Sequence, residues 1–420
     1  MKNSGIEWIG NIPDSWGLVR FKDLCTNKKE VAGNNSGNFD RLALTLNGVI
    51  KRPKDDSEGL QPKEFDTYQV LYENDFVFKM IDLQNISTSR VGLSHYTGLV
   101  SPAYIRFSPK KEGQYNKFVY YFLMSMYYNC VFNSLGGNGV RSALNASDMG
   151  QLIIPYPSLE TQKRIVEFIE TKLAQVDELI ANQEKQIEKL KVYKQSVITE
   201  AVTKGLDKTA PLKDSGIEWT SNIPENWGIV LLSSLFVEHK HKNIGMQSNN
   251  LLSLSYGKIK RKDINGNEGL LPESFEGYNV IGLGDIVLRL TDLQNDQRSL
   301  RTGLCEEEGI VTSAYVTLRR RNENLNSKYM HYYLHAFDIN KGFYAMGSGV
   351  RQGLNYEGIR KLQILFPSIE EQVTIVEFLE DKCGKIDRLI AIKQEKIEKL
   401  QEYKKSLIYE YVTGKKEVVR

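Results

Sequence analysis

The alternation of apolar and polar positions divides the chain into two kinds of segment. After Pro157 and again after Pro367, apolar residues recur every three or four positions for about 45 residues, which predicts long amphipathic helices over 158–205 and 368–414. At about 1.5 Å per residue, each helix would be roughly 65 Å long. The steps follow a heptad pattern, and the predicted seam is Leu173, Val176, Ile180, Ile187, Leu190, Ile386, Ile390, Ile397 and Leu400. Because a single helix would expose this apolar edge, we expect the two helices to pair.

Local signals mark the ends of both helices. Ser368 with Glu371 forms a capping box, and Ser158 can cap the first helix. Gly205 and Gly414 lie where the helices should end. The first helix leads from one globular region into the next, and the second helix follows that region, so the pair should be antiparallel.

The segments that precede the helices contain short apolar runs bounded by turn residues, which are typical of strands. In the first half, the predicted strands are 42–46, 76–78, 104–107 and 151–154. An aromatic-rich segment at 117–132, with a counterpart at 328–337, predicts a helix packed on the sheet. This mixture of strands and helices indicates an α+β fold class.

One unit occurs twice along the chain, at an offset of about 210 residues. The repeated motifs include S-G-I-E-W at 4–8 and 215–219, D-L-Q-N at 82–85 and 292–295, and G-V-R at 139–141 and 349–351. A period of this length indicates duplicated domains rather than a solenoid. The expected division is a globular domain at 1–157, a helix at 158–205, a second globular domain at 206–367 and a helix at 368–414, with pseudo-two-fold symmetry.

Composition narrows the class of protein. Of 420 residues, 41% are hydrophobic and 25% are charged, which is typical of globular proteins. No apolar run approaches the roughly 20 residues that span a bilayer, and no signal-peptide pattern opens the chain, so we expect a soluble, cytoplasmic protein. A net charge of +3 is weak evidence for a nucleic-acid partner. The four cysteines are too scattered to predict a disulfide framework or a zinc motif.

Three motifs taken together are similar to one known family. Each half opens with S-G-I-E-W, N-I-P and a tryptophan, a G-S-G-V-R…L-N loop lies at 347–355, and P-S-I-E-E-Q…I-V-E-F-L begins the second helix at 367–379. This combination resembles the specificity subunits of Type I restriction-modification enzymes, over nearly the full length of both halves. In that family, two variable target-recognition domains alternate with two helical regions, so the resemblance implies the same architecture here.

The resemblance also implies a function and partners. A specificity subunit is not catalytic by itself and holds no cofactor. It docks on two modification subunits with adenine-N6 methyltransferase chemistry and on restriction subunits that translocate and cut DNA. S-adenosylmethionine, ATP and Mg²⁺ would then belong to the partner subunits. The double-stranded DNA target would be bipartite, with one half-site for each domain and a spacer length fixed by the helices.

The duplication separates two classes of candidate DNA contact. Phosphate contacts carry no sequence information, so both copies can keep them, whereas base contacts must differ if the half-sites differ. The matched basic positions, assigned to phosphate contacts and register, are Lys51, Arg52, Arg90, Arg141, Lys260, Arg261, Arg301 and Arg351. The differing positions, assigned to base contacts, are Lys79, Arg289, Arg298 and Gln352. For each basic pair the alternative is an ordinary solvated charge.

Two other function classes stay open. A stand-alone nuclease or methyltransferase would need a G-x-x-x-x-G-K-[ST] loop or an Asn-Pro-Pro-aromatic motif, and the sequence has neither. A coiled-coil adaptor with duplicated protein-binding domains would explain the helices but not the matched loop arginines. His331 and His335, four apart on a predicted helix, could form a metal pair, but a packed pair is far more frequent for so short a motif. No metal site is therefore predicted.

Overall fold

The computed structural model describes residues 1–46, 48–53, 64–83, 90–111, 115–135, 143–264, 272, 274–293, 300–346 and 353–418. The chain divides into two compact units, the first comprising Met1–Gln183 with Glu395–Arg420 and the second comprising Glu184–Gln394. Each unit therefore combines one of the two globular regions with part of both long helices.

The first unit contains mixed strands and helices. Its strands are β1 (Lys2–Asn3), β2 (Asn11–Ile12), β3 (Gly17–Arg20), β4 (Cys25–Asn27), β5 (Arg41–Thr45), β6 (Gly48–Arg52), β7 (Gln69–Leu71), β8 (Phe76–Phe78), β9 (Val91–Leu93), β10 (Gly98–Val100), β11 (Ile105–Pro109) and β12 (Ile153–Tyr156). Its helices are α1 (Phe21–Leu24), a 3-10 helix (Gly33–Asn38), α2 (Asn116–Tyr128), α3 (Val131–Leu135), α4 (Ala146–Gly150) and the first part of α5 (Leu159–Lys204). Over its described residues, sheets in the orders β6-β5-β10-β7 and β4-β11-β8-β9 form the framework.

The second unit repeats this series. Its strands are β13 (Leu212–Ile217), β14 (Thr220–Pro224), β15 (Gly228–Leu231), β16 (Phe236–Glu238), β17 (Leu252–Ser255), β18 (Lys258–Arg261), β19 (Asn279–Ile281), β20 (Ile286–Leu288), β21 (Thr302–Leu304), β22 (Gly309–Val311), β23 (Val316–Arg320) and β24 (Gln363–Phe366). Its helices are α6 (Leu232–Leu235), α7 (Ser327–Ile339), α8 (Gly342–Met346), α9 (Tyr356–Ile359) and the first part of α10 (Ile369–Val412). The sheet β16-β23-β20-β21 corresponds to β4-β11-β8-β9. The predicted α+β class and the duplication are confirmed.

One predicted helix is divided in two. The segment expected as a single helix over 117–132 forms α2 and α3, and Cys130 between them has a φ of +54°. A left-handed residue of this kind interrupts a helix. The apolar pattern continues across the break, because Val131 and Phe132 are buried like the residues of α2. The sequence pattern therefore gave no sign of the interruption.

Serine caps begin both long helices. Ser158 Oγ accepts the Thr161 N–H at 3.3 Å, and Ser368 Oγ accepts the Glu371 N–H at 3.2 Å. The Glu371 carboxylate accepts the indole N–H of Trp227 at 2.9 Å. The predicted box thus caps α10 from the serine side, while its glutamate ties the helix to the second globular region.

The C-terminal ends of the long helices dock in the same way in the two units. Gly205 follows α5 at a φ of +70°, and Gly414 follows α10 at +69°. A Cβ added at Gly414 would lie 2.3 Å from Pro13 Cδ, and one added at Gly205 would lie 3.3 Å from Trp227 Cζ2. Both positions therefore need glycine for the backbone conformation, and Gly414 also needs it for close approach. Each helix end is fixed against the tryptophan motif that opens a globular region.

Contacts within each unit show that the long helices are antiparallel. In the second unit, Lys194 Nζ lies 2.7 Å from the Asp387 carboxylate, and Lys393 donates to Gln186. Residue numbers thus rise along α5 while they fall along α10. The corresponding contacts of the first unit are the ion pair of Lys404 with Asp177 and the ring contact of Phe168 with Tyr411.

The predicted apolar seam is shielded from solvent along both helices. Val176, Ile187, Ile386 and Ile397 are all no more than 7% exposed. The other predicted seam residues, which are half-buried, are Leu173, Ile180, Leu190, Ile390 and Leu400.

Among the described residues, none of the helices combines the length and apolarity that a bilayer crossing needs.

Candidate nucleic-acid interface

Each unit carries a two-stranded β-ribbon that packs through a glycine on a strand of another sheet, and in the first unit this ribbon is also the edge of the sheet β6-β5-β10-β7. We call β5–β6 the first ribbon and β17–β18 the second ribbon. A Cβ added at Gly92 of β9 would lie 2.7 Å from Leu44 Cδ1, and one at Gly303 of β21 would lie 2.6 Å from Leu254 Cδ1. Only glycine allows an approach this close. Because side chains alternate along a strand, each ribbon has an inner face toward the sheet and an outer face away from it.

The pairing register corrects the sequence alignment of the ribbons. Lys51 pairs with Leu42 across the first ribbon, and Arg261 pairs with Leu252 across the second. Lys51 therefore corresponds to Arg261, whereas the K-R dipeptides had matched it with Lys260. That predicted match is wrong by one residue, because a one-residue shift exchanges the two faces of a strand.

Lys51 and Arg261 both pair with carboxylates. Lys51 Nζ lies 2.7 Å from Asp40, and the Arg261 guanidinium lies 2.6 Å from Glu307. These hydrogen bonds raise the pKa of Lys51 and of Arg261 and lower the pKa of Glu307. A phosphate would have to compete with the carboxylates at these two positions. Their assignment to phosphate stays a prediction.

The outer faces of the two ribbons have different side chains. The first ribbon presents Arg41, Ala43, Thr45, Ile50 and Arg52. The second ribbon presents Ser253, Ser255, Lys258 and Lys260. The inner faces, by contrast, carry leucine, leucine and a β-branched residue in both copies. Of these outer-face residues, the sequence analysis named Arg52 and Lys260 as candidates but not the others, although alternation around the two turns places them all on one face.

The ribbon tips are exposed and apolar. Leu46 is 68% exposed in the first unit, and Tyr256 is 77% exposed in the second. Tyr256 has a φ of +47° and Gly257 a φ of +77°, which is the backbone of a type I′ turn. A Cβ added at Gly257 would lie 3.1 Å from Leu300 Cδ1, so the second tip lies beside Leu300. Leu300 immediately precedes Arg301, another predicted contact residue.

Arg90 and Arg301 are buried, and their prediction as phosphate contacts is wrong. Arg90 is 1% exposed and donates to the carbonyls of 79, 81 and 82 at 3.2, 2.7 and 2.6 Å. Arg301 is 0% exposed and donates to the carbonyls of 289, 291 and 292 at 3.1, 2.8 and 3.3 Å. A guanidinium enclosed by carbonyl oxygens is not directed toward a phosphate. We call each arginine with its three carbonyls an arginine clamp.

The arginine clamps hold strained turns at matched positions. Asp82 has a φ of +53° and Asp292 a φ of +57°. Aspartate enters the left-handed region more readily than most residues with a side chain, and the carbonyls bound by the arginine fix this backbone in place. Lys79 and Arg289, the predicted base contacts, are half-buried at the start of these turns. The clamps therefore set the backbone from which both side chains project.

Four other predicted contacts lie outside the described residues: Arg141, Arg298, Arg351 and Gln352.

His331 and His335 form a packed pair. Their ring centroids are 6.0 Å apart, and His331 Nε2 lies 3.5 Å from the Thr302 carbonyl oxygen. Burial lowers the pKa of both rings to about 4. Among the described residues, no group of three or more His, Cys, Asp or Glu side chains could hold a metal ion. The arrangement is that of neutral core histidines.

This burial predicts a pH-dependent stability. An unfolded histidine titrates near 6.5, so below that pH the unfolded state binds protons that the folded rings, with pKa values of about 4, do not accept. The free energy of unfolding should be fully present above pH 6.5 and fall progressively toward pH 4. The matched variant carries the first copy's residues, His331→Tyr with His335→Met, and should lose less stability over this range. Urea unfolding at several pH values measures both slopes, and equal slopes would contradict the prediction.

Comparison with known proteins gives one family. The family model described as "Type I restriction modification DNA specificity domain" matches residues 13–189 and 306–402. These matches cover more than half of the chain and include part of each globular region.

The chain is also similar to curated proteins. It is 26% identical to the putative type I restriction enzyme MjaX specificity subunit of Methanocaldococcus jannaschii, over 97% of this chain and 95% of that protein. It is 25% identical to the type I restriction enzyme StySPI specificity subunit of Salmonella potsdam, over 65% of this chain and 59% of that protein.

A solved structure has the same fold. It was described under complex assembly and conformational transition of the type I R-M system, and it matches with a TM-score of 0.66 and 15% identity over 96% of this chain and 98% of that one. At this identity the likeness concerns the fold alone.

Proposed function

The chain belongs to the Type I restriction-modification DNA specificity family, and from this premise we propose that each of its units recognises one half of a bipartite DNA target. As a specificity subunit it recognises DNA sequence and is not itself the enzyme. We assign the half-sites to the globular regions 1–157 and 206–367, with the helices 158–205 and 368–414 as spacers. The coiled-coil adaptor without DNA specificity is not favoured.

The observation that carries this assignment is the pattern of likeness between the two units. Both ribbons keep the same inner face, and both units keep an arginine clamp, while the outer faces differ. A common scaffold with different outer side chains is expected when each copy contacts a different base sequence. Lys79 and Arg289 fit the same pattern, and we keep them as base-contact candidates.

Matched apolar side chains on the helices support docking of two copies of one partner. Leu179 and Leu389 are 45% and 48% exposed, and Tyr193 and Tyr403 are 54% and 47% exposed. The Lys404–Asp177 contact places Leu179 and Tyr403 near the same level of the first unit's helix pair. The same holds for Leu389 and Tyr193 in the second unit. Exposed apolar side chains in two matched places are suited to two modification subunits.

The chemistry belongs to the partners in this proposal. Modification subunits would supply methyl transfer with S-adenosylmethionine, and restriction subunits would supply ATP- and Mg²⁺-dependent translocation and cleavage. The complex would work in the cytoplasm, where the cell's DNA lies. The chain's own contribution would be affinity and discrimination at the two half-sites.

Genome-wide methylation sequencing of the host, with and without the chain, tests the proposed function. We expect one bipartite adenine-methylated motif to disappear when the gene is deleted and to return when it is restored, which also identifies the motif. A host strain that lacks a different specificity subunit provides the control. This strain should keep the motif assigned to the present chain. Persistence of every methylated motif after deletion would contradict the proposal and favour the adaptor.

A further inference from the structure

The second ribbon has features that its role in the fold does not require. Its inner face, with Leu252, Leu254 and Ile259, packs on the sheet as the inner face of the first ribbon does. Packing therefore explains one side of the ribbon. It does not explain why the outer side is rich in lysine and serine, nor why an aromatic residue occupies the tip.

The outer face is cationic. Lys258 and Lys260 are exposed, with Ser255 and Ser253 as their partners across the ribbon, and the exposed Lys262 follows the strand. Within the described part of the chain, these three lysines form no ion pair. Clustered like charges on one strand repel each other and favour an anionic ligand. The first ribbon is also cationic, because Arg41 and Arg52 are direct partners across it.

Tyr256 is a poor choice for the turn that it occupies. The two residues of a type I′ turn both need positive φ, which favours Asn-Gly, and an aromatic side chain is strongly disfavoured there. Tyr256 nevertheless has a φ of +47° with its ring 77% exposed. Neither turn chemistry nor burial accounts for the tyrosine, and strain at an exposed site points to a ligand contact.

We propose that the outer face and tip of the second ribbon form a DNA-contacting surface that determines sequence preference at the second half-site. Lys258 and Lys260 contact phosphates, and the Tyr256 ring packs against base edges at the tip. A two-stranded ribbon fits the major groove, where an aromatic ring distinguishes bases by packing against their edges, as on the methyl group of thymine. The first ribbon, with Leu46 and a different outer face, contacts the other half-site. This inference rests on the proposed function.

The test uses the chain assembled with its modification subunits. The probes are duplex DNA with the methylated motif, the same duplex with either half-site scrambled, and a fully scrambled duplex. Preference of the wild-type complex for the intact motif establishes the proposed function first. Absence of that preference contradicts the proposed function, whereas an unaffected variant contradicts only the role of the ribbon.

Replacing Tyr256 separates binding from stability. Tyr256→Asn should leave the melting temperature unchanged or raise it, because asparagine suits the turn. The same variant should bind the motif about tenfold more weakly and lose discrimination at the second half-site alone, because one base-edge contact is lost. Tyr256→Phe keeps the ring and should bind like the wild type. Unchanged binding by Tyr256→Asn, or equal loss in both variants, would overturn the contact.

The contribution of Lys258 and Lys260 is measured separately, by the salt dependence of DNA affinity. Lys258→Ala with Lys260→Ala should reduce the slope of log affinity against log salt by about 2, because each phosphate contact releases counterions. The matched control is Lys208→Ala with Lys213→Ala, two lysines of the same unit outside the ribbon, and its slope should not change. Equal slopes for both double variants would show that the ribbon does not contact the backbone.

Discussion

Arg301→Met is expected to abolish discrimination at one half-site while the other half-site is still recognised, and Arg90→Met should have the reciprocal effect. Each substitution leaves three carbonyl oxygens without their buried donor, at a cost of roughly 3 kcal/mol or more. The strained turn that begins at Lys79 or Arg289 then loses the contact that imposes its backbone. Mismatches in the affected half-site, which ordinarily weaken binding about 5- to 150-fold, should cost less than about threefold.

A loss of discrimination at only one half-site in each variant distinguishes positioning of the contact residues from general destabilisation of the chain. Binding of the assembled complex to duplexes with single mismatches in each half-site measures both effects in the same sample. Arg90→Lys and Arg301→Lys keep the charge but cannot reproduce the planar fork, so they should restore discrimination only in part. Equal loss at both half-sites in either variant would mean that the arginine clamps maintain the fold without positioning the contact residues.

Ile187→Asp with Ile397→Asp should separate the long helices. The two side chains are 7% and 4% exposed, so each aspartate would bring an unpaired carboxylate into an apolar seam. We expect a loss of about 3–5 kcal/mol for each substitution, which approaches the whole stability of an ordinary domain. Thermal unfolding of the chain measures the loss. In the complex, recognition should fail or tolerate other spacer lengths.

A matched control lies on the same helices. Leu179 and Leu389 are 45% and 48% exposed, so Leu179→Asp with Leu389→Asp should change the stability of the isolated chain by less than about 0.5 kcal/mol. The same variant should weaken docking of modification subunits, measured as the mass of the assembled complex. If the seam variant unfolds no more easily than this control, the helices are not held by the predicted seam.

Periodic features were predictable from the sequence. The heptad of apolar residues predicted both long helices and their seam, and Ser158, Ser368, Gly205 and Gly414 marked their ends. These signals are local, because caps, stops and periodicity act within a few turns of the same helix. The duplication was equally visible, since repeated motifs need no structure to be compared.

The sites depended on information that one-dimensional comparison does not contain. Matched arginines suggested phosphate contacts, but burial placed Arg90 and Arg301 under strained turns. The K-R dipeptides suggested a match that strand pairing moved by one residue. A shift of this size is invisible in a sequence alignment, yet it exchanges the core face of a strand for its solvent face.

An ion pair that occurs in both units shows the same dependence on tertiary structure. Asp75 binds Arg106 at 2.5 Å in the first unit, while Asp285 binds Arg319 at 2.6 Å in the second. The strand register places Thr317 at the position of Arg106, so the arginine has moved two residues along β23, which keeps it on the same face.

The sequence by itself determined the helices, their ends and the duplication, because these follow from local periodicity and repetition. Only the tertiary structure decided which charges are buried in the scaffold and which face outward, because burial and strand register arise from contacts between distant parts of the chain.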